Sequence, residues 1–301
     1  MDPKLLKTSN GLGRARSEFS SAHRRAALQK AFSALTGASV QLLPYEQVRD
    51  QLKFTGSSHR GAQDIRLHDI VGSVGRYQDF TRSFLPTNPS DEIRWASLKA
   101  YMESGGEIPP IEVYKMGDAY FVIDGNHRVS VARQLKQEFI YAYVTEVKTR
   151  VPLSHHDSPE QMLCKARYAE FLEQTRLDEL RPASDLMLTF CDQYELMLSQ
   201  IEVQRYFLWR DHQVEFEYPR VVEDWYDAIY TPIIEFIRSI NLLQEFPERR
   251  EADMFILMTE HRRELQKQLG EPVDPAQVAA RLPRSNSLRA RLSRFFNRHK
   301  Q

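Results

Sequence analysis

Cysteine is scarce in this chain, long apolar runs are missing, and net charge is zero. Only Cys164 and Cys191 are present, with no metal-ligand spacing, so neither a disulfide framework nor a thiolate zinc site is expected. Both read as half-buried thiols. No apolar run approaches the roughly 20 residues that cross a bilayer. The opening "MDPKLLKTSN" lacks the apolar centre of a secretory signal. A cytoplasmic protein is therefore expected. Lys plus Arg and Asp plus Glu both total 41, so overall charge points to no particular partner.

The residues present suffice for a sizeable core: 42% are hydrophobic and 27% charged, over 301 residues. Charge is uneven. No acidic residue follows Asp274, whereas Arg281, Arg284, Arg289, Arg291, Arg294, Arg298 and Lys300 crowd the C-terminal end. The pattern predicts four parts. Residues 1–58 form an N-terminal helical segment whose first 18 residues look flexible, with a helix over "SSAHRRAALQKAFSALTG" stopped at Gly37 and a short one over "PYEQVRDQL". "TGSSHRGAQ" at residues 55–63 has linker composition. Residues 59–150 read as a compact mixed unit: strand, helix, strand, strand, helix, strand. Its first long helix, "SDEIRWASLKAYMESGG", has Ser90 as cap and Gly105-Gly106 as stop. Residues 151–275 read as a helical domain that opens on a Ser158–Gln161 capping box with Pro159 at the first helical position. Pro232 should bend or restart one of its helices. Residues 276–301 form the basic tail. The expected fold class is α+β: a small mixed α/β core with N-terminal helices and an all-α C-terminal domain.

The stretch that carries chemistry is "VIDGNHRVSVARQL", residues 122–135. A strand runs into Asp124-Gly125 and a helix starts at once. The first N–H groups of a helix have no partner within it, and that end is positive. A glycine before it lets an anion approach the backbone. His127 and Arg128 occupy the first turn, where acidic residues are normally favoured. Each misplaced cation costs about 0.3–1 kcal/mol there, and a bound anion reverses the sign. The plainer alternative is that His127 and Arg128 pair with Asp124 or another carboxylate.

"PPIEVYKMGDAYFVIDGNHRVSVARQLKQEFIYAYVTEV" resembles the nucleotide-binding core of the ParB/sulfiredoxin superfamily, which includes a free serine kinase. The likeness spans roughly residues 65–147. It implies that Gly125, Asn126, His127 and Arg128 hold nucleotide phosphates at a helix start. It also implies that Arg94 and Ser97, at i and i+3 on the preceding helix, turn toward them. Asn126 stands where sulfiredoxins carry their catalytic cysteine, which excludes thiol reduction. The glutamate of the ParB clamp motif is absent, and no recognition helix follows. The serine kinase pattern Asp-Gly-His-His-Arg is the nearest match, with Asp124 as the candidate base. The C-terminal half is similar to an uncharacterised bacterial helical domain that tends to carry histidines where this chain has Gln200 and Gln204.

Other clusters carry weaker signals. Gly72, Gly75 and Arg76 in "IVGSVGRYQDF" could form a second wall of the nucleotide pocket, or simply a glycine-rich turn. His155-His156-Asp157 shows no third ligand nearby, so no metal is expected there. Phe207, Trp209, Trp225, Tyr226, Tyr230 and Phe236 read as helix core. Glu251, Asp253, Glu260 and Glu264 read as a solvated helix face. The basic tail could bind nucleic acid, an anionic membrane surface or the helical domain, or stay solvated. The leading expectation is a bacterial regulatory or switch protein that binds a nucleoside di- or triphosphate such as ATP or CTP, with Mg²⁺. Its helical domain would report occupancy to a protein partner or to DNA, and an oligomer is possible. The alternatives are a small-molecule kinase and a DNA-binding protein that uses its basic ends.

Overall fold

A computed structural model describes residues 3–36 and 40–281. They divide between two compact units, residues 1–162 and 163–301. The tail after Arg281 and the expected helix stop at Gly37 lie outside the described residues.

The first unit opens with α1 (Pro3–Thr36), so the N-terminal residues read as flexible are helical. Tertiary packing accounts for the difference. Ala15, Phe19, Ala22 and Ala26 recur at helical spacing and are all buried. Next come β1 (Leu43–Pro44), α2 (Tyr45–Gln51), β2 (Phe54–Arg66) and β3 (Ile70–Ser73). Residues 55–63, read as a linker across the expected 58/59 boundary, lie within β2. Glycine and serine gave that segment a loop's composition. Antiparallel pairing with β6 (Phe139–Thr149) runs along almost its whole length and satisfies the backbone groups that face β6. A register shift between His59 and Gly61 absorbs the glycine at φ +78°.

The remainder follows the expected order: α3 (Glu92–Glu103), β4 (Ile111–Met116), β5 (Ala119–Asp124), α4 (Asn126–Gln134) and β6. The start of α3 differs in detail. Asn88 Oδ1, not Ser90, accepts a backbone bond, from Ser90 N–H at 3.1 Å. A short 3₁₀ turn (Pro89–Asp91) then leads into the helix. The six strands form one mixed sheet in the order β1-β3-β5-β4-β6-β2. β4 and β5 are an antiparallel hairpin, while β3–β5 and β4–β6 are parallel. β6 buries Ile140, Ala142 and Val144 and exposes Phe139, Tyr141 and Tyr143, the alternation of a half-buried strand. Its inner face joins Ile65, Ile111, Val113, Val122, Phe80, Phe84 and Val129 in the main core.

α1, α3 and α4 meet around Phe19, Trp95 and Val131. Polar bonds made by the buried Trp95, Ser130 and Lys99 side chains reinforce this packing. Trp95 Nε1 donates to Ser130 Oγ at 2.9 Å, and that hydroxyl donates to the Phe84 carbonyl at 2.6 Å. The Lys99 ammonium, almost fully buried, lies 2.7 Å from Glu18 Oε2. This bond from Lys99 holds the Glu18 carboxyl below its ordinary range, although burial opposes it.

α5 (Pro159–Thr175) starts with the predicted capping box: Ser158 N–H donates to Gln161 Oε1 at 2.8 Å and Gln161 N–H to Ser158 Oγ at 3.2 Å. The second unit continues through α6 (Leu177–Leu180), α7 (Tyr194–His212), α8 (Tyr218–Trp225), α9 (Thr231–Ser239), α10 (Glu251–Leu269) and α11 (Pro275–Arg281). Pro232 acts through a π-helical turn, Tyr226–Tyr230, that joins α8 to α9. Proline removes an N–H and crowds the carbonyl four residues back, and the wider turn accommodates both. Trp225 and Tyr230 pack on Phe255 as core. Trp209 and Phe207 do not: together with Tyr206 they stay largely exposed on α7. Asp253 is buried rather than solvated, accepting from the backbone N–H groups of Arg250 (2.8 Å) and Thr189 (2.9 Å). Gln200 and Gln204 bond Thr259 and Asp224 from α7.

Candidate functional site

The corner at the start of α4 is built by the β5–α4 junction and the loop before α3. Gly125 caps α4 at φ +114°, a conformation L side chains rarely adopt, and no side chain caps the helix. A Cβ at Gly125 would also collide with the side chain of Ile111. The glycine is therefore required by backbone and packing, whatever binds beside it. The first-turn N–H groups of Asn126, His127 and Arg128 have no partner within the helix.

Asn126 and His127 are buried at the first two helical positions. The His127 ring sits edge-on to Phe80, with centroids 5.3 Å apart. Its Nε2 is 3.0 Å from Arg76 Nη1 and 3.3 Å from Asp91 Oδ1. A guanidinium can only donate and a carboxylate only accept, so Nε2 would be an acceptor toward Arg76 and a donor toward Asp91, and the ring's tautomer selects between them. Burial, together with the charges of Arg94 and Arg76, holds the imidazole below its ordinary pKa, while Asp91 opposes the shift. Arg76 also reaches Asp79, at 3.4 Å.

Asp91 Oδ2, Asn126 Oδ1 and His127 Nδ1 are buried and have no hydrogen-bond partner. Among the described residues of the first unit, the one further side-chain atom of this kind is His155 Nδ1. A buried polar atom left unpaired costs about 1–3 kcal/mol. The three atoms belong to neighbouring residues: Asn126 precedes His127 in the chain, and His127 touches Asp91.

The other predicted site residues separate into groups. Arg94 and Ser97 are both exposed, one turn apart on α3, and Arg94 acts electrostatically on His127. Arg76 joins the corner directly, but Gly72 does not. It is buried in β3, where a Cβ would strike the Leu43 carbonyl and the Phe121 ring, so its smallness serves the sheet. Arg128 is engaged elsewhere. Nη1 donates to the carbonyls of Pro109 (2.7 Å) and Pro110 (2.6 Å), and Nη2 pairs with Asp124 Oδ2. Its guanidinium thus ties the approach to β4 to the start of α4. The pairing with Asp124 weighed from the sequence is formed. Asp124 is itself two-thirds exposed and bound through that one oxygen. Asp91 is a member of this corner that the sequence did not single out. Its position beside Arg94 on the same helix end was the one signal available in the sequence.

Residues 79–156 match the family model of the ParB N-terminal domain. That segment includes Asp91, Arg94, Ser97 and the whole run from Gly125 to Arg128, and it leaves Gly72 and Arg76 outside. It covers about a quarter of the chain, and this part of the protein is ParB-like. No curated protein and no solved structure matches the chain.

Proposed function

We propose that the corner at the start of α4 binds the phosphates of a nucleoside di- or triphosphate, and that the protein works as a nucleotide-dependent switch. The carrying observation is the concentration of three unpaired buried polar atoms, on Asp91, Asn126 and His127, around an uncapped helix start. The resemblance to the superfamily's nucleotide-binding core agrees with it, as does the ParB-like segment that contains these residues.

The roles follow from chemistry. The unpaired N–H groups after Gly125 face negative charge favourably. Arg76 and Arg94 supply the guanidinium charge, and Ser97 a hydroxyl. His127 gives a ring N–H once the ring is released toward the ligand. Asp91 Oδ2 is a free carboxylate oxygen, suited to an accompanying Mg²⁺. Arg128 contributes its backbone N–H, since its guanidinium secures the framework. The kinase reading has less support: Asp124 would need an oxygen aimed at an acceptor hydroxyl, and Arg128 already holds one. Output to DNA or a protein partner is assigned to the helical unit and the basic tail.

A thermal-shift panel with ATP, ADP, CTP and GTP, each with Mg²⁺, tests the reading on the full chain. At least one nucleotide should raise the melting temperature of the wild type, and Arg76→Ala should abolish that rise, measured against the variant's own nucleotide-free value. No rise with any nucleotide sinks the proposal. Steady turnover with a hydroxyl acceptor would move the assignment to a kinase.

A further inference from the structure

A second group of side chains lies apart from the α4 corner. His68 and Asp69 sit in the 3₁₀ turn Leu67–Asp69 that joins β2 to β3. His155 comes from the segment after β6. One nitrogen of each histidine and one Asp69 oxygen all lie within 4.8 Å of one another. Asp69 Oδ1 is 3.5 Å from His68 Nδ1 and 3.5 Å from His155 Nε2.

Those two distances carry the argument. Hydrogen bonds between such groups close to about 2.7–3.2 Å, and neither pair has done so. Ligands bound about 2.0–2.1 Å from a tetrahedral ion stand roughly 3.3–3.5 Å apart. Asp69 therefore keeps to both histidines the spacing that a shared ion would impose. The two histidine nitrogens also lie within 4.8 Å of each other, and the His68 side chain is 72% exposed.

The position of His155 is fixed in advance. Its backbone N–H donates to Asp118 Oδ1 at 2.7 Å, and Ser154 Oγ donates to Asp118 Oδ2 at 3.2 Å. Asp157 closes the loop by accepting from Ser154 N–H at 2.7 Å. Gly117, at φ +62°, leaves room for the Leu153 carbonyl over the β4–β5 turn, where any Cβ would collide. On the far side of the ring, His155 Nδ1 lies 3.2 Å from Asp118 Oδ1. A carboxylate behind the second nitrogen is the usual orienting partner of a metal-bound histidine. Nδ1 is also the fourth buried unpaired atom of this unit. A small rotation of the ring, such as ligation through Nε2 would bring, could align it with Asp118.

We propose that His68, Asp69 and His155 bind one divalent transition-metal ion of the zinc class. Two imidazoles and one carboxylate are nitrogen-rich for Mg²⁺ or Ca²⁺ and suit Zn²⁺. Three protein ligands leave the fourth position to water or to His156, whose ring lies 3.9 Å from that of His155. The ion would join the loop after β6 to the β2–β3 turn. The His155-His156-Asp157 run hid this arrangement, because its partners come from another part of the sequence and Asp157 serves the loop instead.

The test uses the full chain, stripped with chelator and titrated with Zn²⁺ by calorimetry, with Co²⁺ absorption as a second readout. The wild type should bind one ion at this site and show the intense visible bands of tetrahedral Co²⁺. His68→Ala, an exposed substitution that leaves the fold intact, should weaken binding at least tenfold. His155→Ala should abolish it, and His261→Ala, remote in sequence and in the other unit, should change nothing. Absence of Zn²⁺ binding by the wild type, or equal affinity in His68→Ala and wild type, overturns the proposal. Neither result depends on whether nucleotide binds at the α4 corner.

Discussion

Arg128 supplies the sharpest quantitative test, because the sequence and the structure give it different work. Consider Arg128→Ala. The substitution removes two charge-assisted bonds to the carbonyls of Pro109 and Pro110, and the contact with Asp124. Bonds to a charged group contribute about 1.5–3 kcal/mol each when sheltered. Pro109 is exposed and its carbonyl can return to water, so its share falls at the low end. The pair with the two-thirds exposed Asp124 adds only about 0–1 kcal/mol. The gross loss is about 3–5 kcal/mol. Removing a cation from a positive helix end returns about 0.3–1 kcal/mol. About 2–5 kcal/mol of destabilisation remains, or roughly 4–20 °C in melting temperature for a unit of this size. Arg128→Lys should recover less than half, since an ammonium cannot fork across three acceptors. Scanning calorimetry of the nucleotide-free chain measures this. A melting temperature within about 1 °C of wild type would refute the framework role and return Arg128 to the ligand site.

Three further outcomes follow from the same geometry. Gly125→Ala forces a side chain into the left-handed region and against Ile111, and should cost about 2–4 kcal/mol by denaturant unfolding; a loss under about 1 kcal/mol would mean the corner relaxes freely. Ser130→Ala strands both Trp95 Nε1–H and the Phe84 carbonyl and should cost about 2 kcal/mol, whereas Ser130→Thr fails only if the added methyl does not fit. His127, held below its ordinary value of 6.5 mainly by burial, is favoured neutral in the folded state. Its contribution is therefore complete above about pH 6.5 and is lost as pH falls toward the folded value. Wild type should lose more stability than His127→Gln between pH 7 and 5, and parallel profiles would contradict the assignment.

Much of this was readable in the sequence because local rules and global packing agreed. The β4–β5 hairpin, α4, β6 and the Ser158–Gln161 box each combine a period with a turn or cap signal. Where packing decides, the sequence misleads. β2 has a linker's composition, but its partner β6 supplies the bonds that make it a strand. α1 contains Gly11 and Gly13 near its start, and packing makes it a helix: Phe19 sits against Trp95 and Val131, and Ala22 and Ala26 against Leu85. At the candidate site, the helix start and its histidine were legible. The engagement of Arg128 with two proline carbonyls was not, since carbonyl acceptors leave no mark in a sequence. Nor could spacing show Asp91 reaching His127, or His68 and Asp69 reaching His155, as those contacts are made by the fold.

Calorimetric titration of ATP and of CTP, with Mg²⁺, into the full wild-type chain and into Arg76→Ala tests the central claim most directly. The account predicts saturable one-to-one binding of at least one nucleotide by the wild type, weakened at least tenfold when the Arg76 guanidinium beside His127 is removed. Absence of saturable binding by the wild type, or binding that Arg76→Ala leaves unchanged, would contradict it.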